Sequence, residues 1–328
     1  MAELHVPVLR QECVELLQPA LSQPGAILVD GTLGLGGHSE AILQQIEGVK
    51  VIGIDRDNQA IALATSRLAP YRDRFQAVHA TYDQIAEVLT ALGISEVQGL
   101  LLDLGISSLQ IDAAERGFSY AKDAPLDMRM DQSNGPTAAD ILNTYSESEL
   151  RRILYSYGEE KFAPRIAQAI VTARASNPWR TTRQLAEAID NAIPAKAKKT
   201  GGHPAKRTFQ AIRIEVNQEL VSLAGVLPEA ISCLSIGGRI VIESYQSLED
   251  RLVKTEFAKG ASSSAPAGLP QQLPEHLPYL RLLTRGAVKA DEQEIAHNPR
   301  AASVRLRGAE KIRAIPKQFR TTERRESQ

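Results

Sequence analysis

The run Val29-Asp30-Gly31-Thr32-Leu33-Gly34-Leu35-Gly36-Gly37-His38-Ser39, followed by Ile52-Gly53-Ile54-Asp55, constrains the fold more than any other stretch of the chain. Ala26 to Val29 is a short apolar run between Pro24-Gly25 and a glycine cluster, the pattern of a buried parallel strand. Gly31, Gly34, Gly36 and Gly37 let the backbone turn tightly and lie close to a ligand. Ala41, Ile42 and Ile46 continue as a helix with Ser39 near its first turn, so unpaired backbone N–H groups point into the turn. Asp55 closes the next strand and faces the same crevice. A carboxylate there accepts hydrogen bonds from ribose hydroxyls, so the pattern predicts a nucleoside-bearing cofactor at the carboxyl ends of the strands.

Nicotinamide dinucleotides and S-adenosylmethionine (SAM) both use a strand, a glycine turn and a ribose-binding acid. The dinucleotide fingerprint requires G-x-G-x-x-G, and starting from Gly34 its third glycine falls on Ser39. The loop by itself therefore favours SAM only modestly and leaves a dinucleotide open.

With 328 residues and 43% apolar side chains, the chain can bury one large core or two ordinary ones. It contains neither a long uninterrupted apolar stretch nor a basic-then-apolar leader, which predicts a cytoplasmic protein without a membrane segment. The two cysteines, Cys13 and Cys233, are far apart and form no C-x-x-C or His cluster, so they read as buried small hydrophobes and no metal is expected. The net charge of -1 hides an asymmetry. From Arg300 onward nine Lys or Arg face three Glu, and no acid occurs between Asp190 and Glu215, where Lys196, Lys198, Lys199, Lys206, Arg207 and Arg213 lie. Such stretches fit a nucleic-acid surface as well as a solvated loop.

Asn58 to Leu68, Tyr82 to Leu92 and Leu248 to Phe257 have helical periodicity, whereas Phe75 to His79, Gly99 to Leu104 and Gly237 to Ser244 read as strands. The alternation implies a doubly wound, mostly parallel α/β sheet. Between residues 109 and 206 the pattern is helical throughout, giving an inserted all-helical domain between the two parts, 1–108 and 207–328, of the α/β domain. A single helix is expected from Phe209 to Leu234. Tyr279 to Leu283 and Ser303 to Leu306 are expected to close the sheet as an antiparallel pair, Lys259 to Pro278 to form a mobile loop, and the residues after Pro316 to be disordered.

Five longer motifs are more specific. Asp30 to Ser39, Leu101-Leu102-Asp103-Leu104-Gly105-Ile106-Ser107-Ser108, Ala114-Glu115-Arg116-Gly117-Phe118-Ser119, Pro125-Leu126-Asp127-Met128-Arg129-Met130-Asp131 and Arg207-Thr208-Phe209-Gln210-Ala211-Ile212-Arg213 together resemble the MraW (RsmH) methyltransferase family. The resemblance runs from His5-Val6-Pro7-Val8-Leu9 to Asn298-Pro299-Arg300-Ala301. It implies the class I SAM-dependent methyltransferase fold and methylation of the N4 amino group of a cytidine in small-subunit (16S) ribosomal RNA. It also implies cofactor contacts from Gly36, Gly37, His38, Asp55, Tyr82, Asp103 and Gln110. The sequence departs from the family pattern at Gln246, where histidine is usual, and at Ala302, where arginine is usual.

Cytosine N4 has its lone pair delocalised into the ring, so the site must orient the amine and accept its proton. Asp103, at the end of a strand beside the crevice, is the candidate for that role. The sulfonium methyl is already electrophilic, so the reaction needs neither a metal nor a covalent intermediate. A cytidine in folded RNA has to be unstacked, and Phe118, Tyr120 or Trp179 offers it a face in competition with ordinary core packing. Arg116 to Arg129 is expected to form a substrate-side lid, the alternative being an Arg129 paired with Asp127 or Asp131. Lys198, Lys199, Lys206 and Arg207 are the candidate phosphate contacts. Three other readings remain at this stage: a methyltransferase acting on another amine, in DNA or protein; a dinucleotide-dependent oxidoreductase; and a non-catalytic RNA-binding assembly factor. The first is weakened by the lack of the Asp/Asn-Pro-Pro-Tyr/Phe tetrapeptide after the fourth strand.

Overall fold

The computed structural model describes residues 7–195, 203–266, 273–316 and 319. The chain forms two compact units, one made of residues 1–105 and 221–328 and the other of residues 106–220.

In the first unit the elements run α1 (Arg10–Leu21), β1 (Ile27–Asp30), α2 (Gly37–Gln45), β2 (Lys50–Asp55), α3 (Asn58–Arg67), β3 (Phe75–His79), α4 (Ile85–Ala91) and β4 (Val97–Asp103). The second unit holds α5 (Ser108–Asp112), α6 (Ala138–Thr144), α7 (Glu147–Gly158), α8 (Ala163–Arg174), α9 (Thr182–Ala192) and α10 (Ala205–Asn217). Within α11 (Glu219–Cys233), at Val221, the first unit resumes and continues with β5 (Leu234–Ser244), α12 (Ser247–Ala261), β6 (Leu280–Leu282), α13 (Glu292–His297) and β7 (Arg305–Lys311).

The sheet order is β3-β2-β1-β4-β5-β7-β6. β1 to β5 pair in parallel, and β7 runs antiparallel to both β5 and β6. Each central strand is apolar on both faces because helices cover both. Val29, Leu100, Leu102, Ile240 and Ile242 pack in one core with residues of α4, α11 and α12, while Leu28, Leu101 and Val241 pack in the other with residues of α1 and α2. Burial of these faces is the main stabilising contribution, at roughly 25 cal/mol per Å2 of apolar surface. The strand order reverses between β1 and β4, and in such sheets the crevice at that point is the usual ligand site.

The helical unit has its own core, in which Leu150, Ile153 and Leu154 of α7, Ile166 and Ile170 of α8, Leu185 and Ile189 of α9 and Phe209 and Ile212 of α10 are buried. The helix expected from Phe209 to Leu234 is two helices. Gln218 adopts a left-handed conformation (φ 53°) and ends α10, which packs chiefly against α7. The return to the α/β unit therefore falls at Val221, later than residue 207, because α10 buries its apolar face among the other inserted helices. The helix α1 was not expected; its Cys13, Val14, Leu17 and Leu21 are buried against the sheet. Of the expected loop Lys259 to Pro278, the first residues extend α12 to Ala261, and residues 267–272 lie outside the described residues, as does the segment after Pro316 apart from Phe319.

Candidate functional site

The glycine loop bridges the carboxyl ends of three strands. Gly31 N–H donates to the Leu101 carbonyl at 2.9 Å and Leu33 N–H to the Ile54 carbonyl at 2.9 Å, fastening the loop to β4 on one side and β2 on the other. Gly36 has φ 75° and caps α2, with its backbone in a conformation that side chains with a Cβ rarely adopt. Ser39 lies in the first turn of α2, where it was expected, and is buried and donates its hydroxyl to Asp30 at 2.6 Å. Asp55 ends β2 and accepts N–H bonds from Gly34 at 2.7 Å and Asp57 at 2.8 Å. Burial raises its pKa to about 6 despite those two donors. Tyr82 stands beside the loop, its Cβ being 3.4 Å from where a Cβ on Gly31 would lie.

Asp103 ends β4 and is register-paired with Glu243 near the end of β5. Its N–H donates to Thr32 Oγ1 at 2.6 Å, and its carboxyl is hydrogen-bonded to the Tyr245 hydroxyl. His38, on the first turn of α2, lies between the two acids, with Nε2 at 3.4 Å from Glu243 Oε2 and 3.7 Å from Asp103 Oδ2. Burial by itself would lower the His38 pKa, but the field of Glu243, reinforced by Asp103 and Asp30, outweighs it and raises the value to about 9. Burial and the neighbouring Glu243 push Asp103 well above the usual carboxylate range, and burial and the same acids push Tyr245 far above the phenol range. His38 Nε2, Asp103 Oδ1 and Glu243 Oε2 are buried without a hydrogen-bond partner.

Glu243 is absent from the site read in the sequence. Its signal was available, since an acid closing Ile240-Val241-Ile242 stands just as Asp55 and Asp103 do at their strand ends. Cys13 also proves to be more than a buried small hydrophobe. Its Sγ lies 3.5 Å from Glu243 Oε1, and burial followed by the field of Glu243 holds the thiol well above its ordinary pKa. Donor atoms of Cys13, His38 and Glu243 fall within 4.8 Å of one another, a grouping the cysteine spacing did not foreshadow.

Of the expected cofactor residues, Gly36, Gly37, His38, Asp55, Tyr82 and Asp103 line the first unit's strand ends and loop. Gln110 belongs to the helical unit, on α5, where its side chain accepts from Ser107 N–H at 3.0 Å. Trp179 is ordinary core: it is buried and donates its indole N–H to the Ile170 carbonyl, so it offers no free face to a base. Tyr120 stacks on His203 with centroids 4.4 Å apart. In the expected lid, Arg129 pairs with Asp127 at 2.8 Å, and buried Arg116 donates to the carbonyls of Arg129 and Met130. Lys206 and Arg207 are exposed on α10, and Lys198 and Lys199 lie outside the described residues. Gln246 caps α12 in a reciprocal capping box with Glu249, which accounts for a neutral side chain at that position without a catalytic role.

A sheet ordered 3-2-1-4-5-7-6 with an antiparallel seventh strand, a glycine loop after β1 and an acid closing β2 is the architecture of class I SAM-dependent methyltransferases. The acids at the strand ends fit that cofactor: Asp55 suits ribose hydroxyls, and Asp103 Oδ1, buried without a hydrogen-bond partner, suits a donor. The family model of the MraW methylase family matches residues 2–312. The chain belongs to the MraW methylase family, whose members are SAM-dependent methyltransferases. It is 61% identical to a protein of Beutenbergia cavernae called ribosomal RNA small subunit methyltransferase H, over 96% of this chain and 95% of that one. A Thermobifida fusca protein of the same name is 59% identical over 95% of this chain and 94% of its own length. Among the described residues no helix is long and apolar enough to cross a membrane.

Proposed function

We propose that the chain methylates the N4 amino group of a cytidine in small-subunit (16S) ribosomal RNA, acting in the cytoplasm, with Asp103 as the group that engages the amine. The name shared by relatives at 59 and 61% identity supports the RNA substrate. The observation that carries the chemistry is the free Asp103 Oδ1 at the end of β4, next to the glycine loop. Gly36, Gly37, His38, Asp55 and Tyr82 hold the cofactor, and Gln110 is assigned to it by resemblance to the family. Bound SAM supplies an electrophilic methyl carbon and a neutral thioether leaving group. The N4 lone pair forms the new N–C bond as the S–C bond breaks and sulfur keeps the bonding pair. The nitrogen, now cationic, returns to neutrality by losing a proton. Asp103 accepts the N4–H hydrogen bond, draws the lone pair out of conjugation and takes that proton. Thr32 and Tyr245 fix its position. The helical unit, with Lys198, Lys199, Lys206 and Arg207 on phosphates, selects the RNA.

Transfer of a labelled methyl group to small ribosomal subunits, but not to DNA or protein, tests the substrate. Label appearing in DNA or protein instead would overturn it. Asp103→Asn is expected to lower turnover by about 100-fold or more while changing the SAM Kd only a few-fold. Equal losses in both would make Asp103 a cofactor ligand and not the acceptor.

A further inference from the structure

In the helical unit, α7 buries Leu150, Ile153, Leu154 and Gly158 and turns its other side to solvent. Ser148, Arg151, Arg152, Tyr155 and Ser156 lie at helical spacing along that side, and with Pro164 at the start of α8 they line an open groove of about 380 Å3. Tyr155 is 71% exposed, more than any other large apolar side chain among the described residues. Arg152 is held in place by an ion pair to buried Glu215 at 3.2 Å and by the Tyr157 ring against its guanidinium. Arg151 is exposed and, among the described residues, has neither an ion pair nor a side-chain hydrogen bond. Lys161 and Arg165, on either side of Pro164, are exposed as well. Two of the nearby acids are engaged elsewhere, Glu149 accepting from Ser146 in the cap of α7 and Glu160 from the Phe162 N–H. Glu147 and Glu159 stand at the two ends of α7, outside the groove.

An aromatic ring left in water between guanidinium groups gains nothing from the fold. Stacked on a base, it loses that exposed apolar surface while the arginines meet the adjoining phosphates. An unpaired nucleotide offers both, whereas the bases of a duplex are already stacked on one another. We infer that the groove between α7 and α8 is a subsite for single-stranded RNA, with one base on Tyr155 and its phosphates on Arg151 and Arg152. It adjoins the basic first turn of α10. Arg207 donates to the Glu159 carbonyl at 3.0 Å and Gln210 to the Tyr157 carbonyl at 2.9 Å, which fastens Lys206 and Arg207 to the end of α7, about one turn beyond Tyr155. A strand of RNA running along α7 meets the groove and α10 in succession. An acidic peptide would satisfy the arginines and leave Tyr155 unused. The subsite rests on the reading that small-subunit RNA is the substrate.

Tyr155 and Arg151 are both exposed, so substitutions there leave the fold intact, and steady-state methyl transfer to small ribosomal subunits tests the groove. Tyr155→Ala is expected to raise the KM for subunits about tenfold, with kcat and the SAM Kd within about twofold of wild type. Tyr155→Phe, which keeps the stacking face, is expected to stay within about twofold throughout. Arg151→Gln is expected to reduce the slope of log affinity for subunits against log salt by about 0.7. A photoreactive benzophenone side chain in place of Tyr155 is expected to crosslink to ribosomal RNA. An unchanged KM in Tyr155→Ala, an equal loss in Tyr155→Phe, an unchanged slope in Arg151→Gln, or crosslinking to ribosomal protein without RNA overturns the subsite, while methylation by wild type leaves the substrate standing. Failure of wild type to methylate small subunits would overturn both.

Discussion

At the residue scale, the acids of this site are distinguished by what already touches them. Asp55 has both oxygens occupied by backbone N–H groups, yet burial raises its pKa to about 6. The raised value means that the folded protein holds this proton more tightly than the unfolded chain. Stability from the protonated form is therefore greatest below the ordinary carboxylate pKa and is lost as pH rises through about 6. In the proposed site ribose hydroxyls donate to the carboxylate, so cofactor affinity is expected to run in the opposite direction. Lowering the pH from 7 to 5 is expected to weaken SAM binding about tenfold through this group, one unit below its pKa. Calorimetry across that range should show the step, with the Asp55 part missing from Asp55→Asn. Asp103, by contrast, keeps one oxygen without a hydrogen-bond partner. From the sequence these two acids look alike, each closing an apolar strand, and only their partners separate the roles.

At the scale of elements, strands were the most legible feature because their apolar runs are short, bounded by glycine or proline and buried on both faces. Phe75–His79 coincides with its expected bounds. The helix α1 escaped because Pro19 and four acidic or amide side chains interrupt its apolar stripe, whose reason lies in the sheet it covers. The break between α10 and α11 had no local marker, as Gln218 is neither Gly nor Pro; it is held left-handed while Arg213 makes a two-pronged ion pair with Glu219 across the turn. In the helical unit, Gly117 (φ 73°) packs so tightly that a Cβ would sit 2.2 Å from the Pro125 carbonyl oxygen. Gly117→Ala therefore combines an unfavourable φ with a backbone clash, and is expected to cost about 3 kcal/mol or more, lowering Tm by roughly 6 °C or more in a thermal melt. Buried Asn217 is a second keystone: its amide donates to the carbonyls of Met128 and Arg213 and accepts from Met130 N–H. Asn217→Ala strands these groups and should destabilise the unit by about 2 kcal/mol, measurable by denaturant titration.

At the scale of the whole molecule, the chain leaves the α/β unit at Gly105 and returns at Val221, so the helical unit is an insertion whose two ends both join the methyltransferase unit. The motif Arg207 to Arg213, expected at the return, lies inside the insertion on α10, with Lys206 and Arg207 exposed. If the four basic residues meet phosphates, replacing Lys198, Lys199, Lys206 and Arg207 with neutral side chains should reduce the slope of log affinity for ribosomal RNA against log salt by about 3. An unchanged slope would move the RNA contacts elsewhere, the basic stretch beginning at Arg300 being the next to test.

The sequence by itself determined the sheet, the glycine loop, the strand-end acids Asp55 and Asp103 and the family, because each is written in a local period or an unbroken motif. Only the tertiary structure decided which distant groups meet. Cys13, His38, Asp103 and Glu243 come from a helix before the sheet, the loop helix and two neighbouring strands, and Cys13 and Glu243 stand 230 positions apart. Parallel register sets Asp103 beside Glu243, and burial turns their proximity into a shared charge problem with His38. Register and burial are properties of the packed sheet, so no window of sequence contains them.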